Sequence, residues 1–110
     1  MKNLLCIMVS LIFTANVFAS GITEINGKMI KSREELHKKL ARDLNFPTYY
    51  GANLDALYDT LVSDYSGESV IKIKYFNFLR KRIGSEYTQN FLEAISEAST
   101  VNPRIVLIIE

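Results

Sequence analysis

Apolar residues recur at helical spacing in four stretches of this chain and as strand-like runs in three others. Ile22 to Asn26 reads as a first strand, with Gly27 as its turn. Ser32-Arg33-Glu34-Glu35 is a capping box that opens a helix, and Leu36, Leu40 and Leu44 give that helix one buried face. Ser63 to Gly67 is polar and reads as a loop. Val70-Ile71-Lys72-Ile73 predicts a second strand. Tyr75 to Ile83 is a short amphipathic helix stopped by Gly84. Ser85 or Glu86 opens the next helix, whose core face carries Phe91, Leu92, Ile95 and Ala98. Pro103 breaks the chain, and Ile105 to Ile109 is a continuous apolar run. Such a run suits a parallel strand covered on both faces. Leu107 and Ile108 would then both be buried, each costing roughly 2–5 kcal/mol when cut to Ala. Strand, two helices, strand, two helices, strand is an α/β layout with right-handed crossovers.

The fourth helical stretch, Phe46 to Leu61, is the one that carries chemistry. Pro47 pushes Phe46 out of the helical region, and Gly51 permits a turn that other residues resist. Asn53 is a candidate N-cap. Leu54, Leu57 and Leu61 then form an apolar stripe at i, i+3 and i+7. Asp55 and Asp59, i and i+4 apart, share a different face and repel each other. Tyr49, Tyr50 and Tyr58 fringe them, with one of Tyr49 and Tyr50 expected in the core.

Charge sharpens this picture. The chain of 110 residues has a formal net charge of only +1, so nothing in bulk drives it towards nucleic acid or acidic lipid, and neither is expected as a partner. That balance hides segregation: residues 20–42 carry +3, 43–71 carry −5, 72–82 carry +5 and 83–110 carry −3. The −5 block contains no Lys or Arg, and its two helical aspartates make it a candidate protein-binding surface. Residues 1–19 have the form of a secretory signal peptide: a basic Lys2, an apolar core from Leu4 to Phe13, and Val17-Phe18-Ala19 before the cut. The remaining domain is expected to run from Ser20 to Glu110, periplasmic or secreted, monomeric, with no membrane contact after cleavage. Cys6, the single cysteine, lies in the leader, so no disulfide framework exists.

Other chemistries lack their residues. There is no Gly-rich phosphate loop, no Cys/His cluster for zinc and no nucleophile–histidine constellation, so neither cofactor nor catalytic residue is assigned. His37 is the only histidine; set on a charged helix, it reads as a surface residue.

Tyr49-Tyr50-Gly51-x-Asn53-Leu54-Asp55-Ala56-Leu57-x-Asp59 resembles the defining segment of the barstar family, protein inhibitors of barnase-type ribonucleases. The resemblance extends from about Ile22 to Glu110, through Ile25-Asn26-Gly27 at the start and Ile105 to Ile109 at the end. It implies a small three-stranded parallel sheet packed with about four helices. It further implies that Asp59 is the residue that plugs the enzyme's active site and that Asp55 is its main acidic companion. Tyr49 matches an aromatic that packs on the enzyme, Gly51 and Asn53 shape the contacting loop, and Glu97 adds an acid from the last helix. The chain has no Trp, and Tyr58 and Tyr65 occupy regions where the best-known member carries tryptophans. Two alternatives stay open: an interaction module of the same fold with a different, non-ribonuclease basic partner, and a small hydrolase using Asp55 and Asp59.

Overall fold

The computed structural model describes residues 20–64 and 68–110; residues 1–19, where the signal peptide and Cys6 are read, and Tyr65 lie outside them. The order is β1 (Ser20–Asn26), α1 (Arg33–Asp43), α2 (Leu54–Asp59), a π-helical turn (Thr60–Asp64), β2 (Glu68–Lys74), α3 (Phe76–Ile83), α4 (Ser85–Val101) and β3 (Ile105–Ile109). The strands form one parallel sheet in the order β1-β2-β3, with Ile22 beside Val70 and Val70 beside Val106. The described residues thus have the α/β fold, three parallel strands and four helices, that the sequence pattern predicts. No helix among the described residues is long and apolar enough to cross a membrane.

Local signals set the element ends. Ser32 caps α1 by accepting from the Glu35 amide at 3.1 Å, and Glu35 reaches back to the Lys31 amide at 2.8 Å. Gly84 closes α3 with a φ of 102°, a region that residues with a Cβ rarely occupy. Gly27 answers to a different constraint, close approach: a Cβ there would lie 2.2 Å from the Tyr75 carbonyl oxygen. The polar loop expected from Ser63 begins as helix instead. Ser63 donates to the Asp59 carbonyl at 2.5 Å, and the Asn102 side chain, just beyond α4, donates to the Leu61 carbonyl at 3.1 Å. The wider π turn is therefore satisfied partly from another element.

Ile25, Ile71, Ile73, Leu36, Leu40, Leu57, Leu61, Leu79, Phe91 and Ile95 form the core between the sheet and its helices. One buried polar contact joins sheet to helix: Thr23 donates to Asp43 at 2.8 Å. Burial alone would raise the Asp43 pKa; hydrogen bonds from Lys39 and Thr23 and the charges of Lys39 and Arg42 outweigh it and hold the carboxyl below its ordinary range.

Two expectations are corrected. β3 is not covered on both faces: it is an edge strand, with Val106 44%, Ile108 38% and Ile109 47% exposed. Only Ile105 is fully buried and Leu107 is half-buried, so the cost of cutting Ile108 falls well short of a core truncation. β2 takes the central place instead, with Ile71 and Ile73 fully buried. His37 is likewise no surface residue; it is 1% exposed, on the inner side of α1.

Candidate functional site

The site begins in the loop from Phe46 to Asn53. Its inner side is tied down by Tyr50. The Tyr50 ring packs on Phe46 at 4.9 Å between centroids, and its hydroxyl lies 2.6 Å from His37 Nδ1. The other imidazole nitrogen, Nε2, lies 2.7 Å from the Tyr87 hydroxyl of α4. A neutral imidazole donates from one nitrogen and accepts at the other, so one phenol accepts and the other donates. Burial lowers the His37 pKa, which keeps this neutral form. Burial, and then the charge of Tyr87, push the Tyr50 phenol far up. Burial also raises Tyr87, opposed by the Arg33 guanidinium, which sits 4.2 Å from the centre of its ring. This buried Tyr-His-Tyr bridge clamps the loop to α1 and α4.

Tyr49, the next residue outward, is 74% exposed. The turn expected at Gly51 is made with the left-handed backbone on the next residue, Ala52, with φ 57°. Gly51 supplies space: a Cβ there would sit 3.3 Å from the Ala56 Cβ. Asn53 caps α2, its Oδ1 accepting from the Ala56 amide at 2.8 Å. The cap fixes where the first turn starts, and so which face each later residue takes. Leu57 goes fully inward, and Asp55 and Asp59 outward.

α2 packs beside α4, and between them runs an open groove lined by Leu54, Asp55, Tyr58, Asp59, Asn90, Glu93, Ala94 and Glu97. Asp55, Tyr58, Asp59 and Glu97, chosen from sequence, meet here; Tyr49, Gly51 and Asn53 stay on the loop that leads into it. Glu93 was missed. It lies one helical turn before Glu97 and accepts from Gln89 Nε2 at 3.3 Å. Its i, i+4 spacing from Glu97 was the available signal, but only the docking of α4 on α2 turns that spacing towards the aspartates. Four carboxylates with a half-buried tyrosine make a groove suited to a cationic surface.

Two comparisons bear on this geometry. A family model described as Barstar (barnase inhibitor) matches residues 21–107. A Bacillus subtilis (strain 168) protein named "Putative ribonuclease inhibitor YrdF" is 40% identical over 74 residues, covering 67% of this chain and 80% of that protein. The match runs in one continuous stretch from β1 into β3 and takes in the helices α1 to α4 with the α2 motif, and on that ground the chain belongs to the Barstar family.

Proposed function

We propose that this protein inhibits a basic ribonuclease by inserting the acidic face of α2 into the enzyme's active site. The observation that carries the reading is Asp59: exposed on a capped helix, in a groove it shares with Asp55 of its own helix and Glu97 of the facing one. A ribonuclease active site is a cationic cleft shaped for phosphate. A carboxylate on a rigid helix takes a phosphate's place there and accepts charge-assisted hydrogen bonds. Asp55, Glu93 and Glu97 speed encounter by steering, an effect that weakens as salt rises. Tyr49 and Tyr58 add rigid contact area and keep water from the buried pairs. Family membership and the name of the Bacillus relative support the same reading.

Residues 1–19 act, in this proposal, as an export signal cut before Ser20, the first residue of β1. The inhibitor would then meet its enzyme in the periplasm or outside the cell.

The deciding experiment captures partners from the native extract on immobilised protein, then titrates the captured protein in an RNA-hydrolysis assay. A basic ribonuclease blocked at a one-to-one ratio is the expected result. A captured basic protein without RNA-cleaving activity would replace this reading with an interaction module of the same fold. Intact mass of the exported protein tests the leader; Met1 retained on a soluble cytosolic form would refute export.

A further inference from the structure

β3 is an unusual edge. Natural sheets guard their edges with a central charge, a proline or a bulge. β1, the other edge, follows that habit: Glu24 stands in mid-strand and pairs with Lys74 at 3.7 Å. β3 reads Ile-Val-Leu-Ile-Ile with no charge inside it, bounded by Arg104 and Glu110. Its exposed Val106 and Ile108 lie on the sheet face away from the buried Ile105, beside Val70 and Lys72.

The backbone says which groups remain outward. Ser69 donates to the Arg104 carbonyl at 3.1 Å, and Glu110 donates to the Ile73 carbonyl at 2.8 Å. In a parallel ladder alternate residues turn both their N–H and C=O to the same neighbour. Arg104, Val106, Ile108 and Glu110 therefore face β2, while Ile105, Leu107 and Ile109 direct their backbone groups to the open edge. The Ile105 N–H is already used, donating to Asn102 at 3.1 Å.

We propose that β3 pairs antiparallel with β3 of a second copy of this chain, about a two-fold axis at Leu107. This register pairs four of the five outward groups still available on each copy and leaves only the Ile109 carbonyl to water. Leu107 exchanges both backbone bonds with Leu107 of the second copy. Each Ile109 N–H meets the Ile105 carbonyl opposite, and the engaged Ile105 N–H is not required. Val106 falls opposite Ile108 on the open face, twice, forming an apolar cluster across the axis. Arg104 falls opposite Glu110, also twice, so both ends of the pairing join opposite charges, with Glu110 keeping its 3.5 Å pair to Lys72 of its own chain. Sliding the register one step either way loses this match: Arg104 would face Ile108, or Val106 would face Glu110. Two-fold closure gives a finite six-stranded sheet rather than a fibre. The contact is short beside the roughly 800 Å² per partner of a stable interface, so association is reversible and concentration-dependent. It shares no residue with the acidic groove.

Sedimentation equilibrium of the purified protein over a concentration series tests this. The expected result is a mass rising from monomer towards dimer. Arg104→Glu alone and Glu110→Arg alone each set like charges together at both ends and weaken self-association about fivefold or more. Mixing these two variants restores opposite charges at both ends, so the mixture associates more tightly than either alone. Amide exchange gives a second reading: Leu107 and Ile109 gain protection with concentration, while Val106 and Ile108 are protected throughout. A monomer up to about 1 mM, well above the concentrations at which even weak specific contacts form, would overturn the proposal. So would a mixture no tighter than its components, or Leu107 and Ile109 amides indifferent to concentration.

Discussion

The segment from Phe46 to Asp59 has an inner and an outer side made of neighbouring residues. Tyr50 is clamped to His37, while Tyr49 is exposed; Leu57 is fully buried, while Asp55 and Asp59 face the groove. The inner residues hold the fold and, in the proposed binding mode, contribute only by placing the others. The outer residues carry charge at some cost to the helix, since Asp55 and Asp59 repel each other. Stability and recognition are therefore separable by single substitutions a residue or two apart.

The largest expected effect is on the inner side. Leu57→Ala should cost roughly 2–5 kcal/mol of stability in denaturant unfolding. A value near zero would mean that α2 is not fixed by its core face. Next comes the outer side. Asp59→Ala should cost more than roughly 2 kcal/mol of affinity for the captured ribonuclease, a size typical of charge-paired anchors, the barnase–barstar pair among them. Its unfolding midpoint should stay level or rise slightly as the repulsion from Asp55 is relieved. A variant that stays folded and binds as tightly as the parent would remove Asp59 from the mechanism.

Tyr50→Phe leaves a buried imidazole nitrogen without its partner and should cost roughly 1–3 kcal/mol of stability. The same clamp gives a pH dependence. The native state holds His37 neutral, whereas the unfolded chain takes up a proton below the ordinary 6.5. This contribution is complete above that value and is lost as pH falls through the lower folded-state pKa. Unfolding midpoints should fall as pH is lowered from about 7 to about 5.5, the window in which histidine ordinarily changes charge, and His37 is the only histidine. A flat profile would show that the clamp tolerates the imidazolium. Asn53→Ala, which removes only the helix cap, should cost about 1 kcal/mol of stability, read in the same unfolding experiment.

Much of this was legible because it is local. Ser32 and Asn53 cap helices whose first turns lie next to them, and Asp55 with Asp59 needs only the helical repeat. The misplacements of His37, Glu93 and β3 are non-local. His37 was read as exposed because its partners, Tyr50 and Tyr87, lie 13 and 50 residues away. Glu93 joins the site only through the packing of α4 on α2. β3 was given two covered faces because its apolar run does not reveal strand order, and β2, with a lysine in its middle, took the centre.

The groove has a wall from α2 and a wall from α4, with β2 and α3 between them in the chain. In the proposed binding mode neither wall alone presents both Asp59 and Glu97, so full-strength recognition requires the folded molecule. A destabilised variant should not be a weaker inhibitor; it should be a smaller number of full-strength ones. In a titration, damage to the fold would move the equivalence point, and damage to the acidic face would blunt the curve. The inhibitory titre of a preparation is thereby a census of its intact copies.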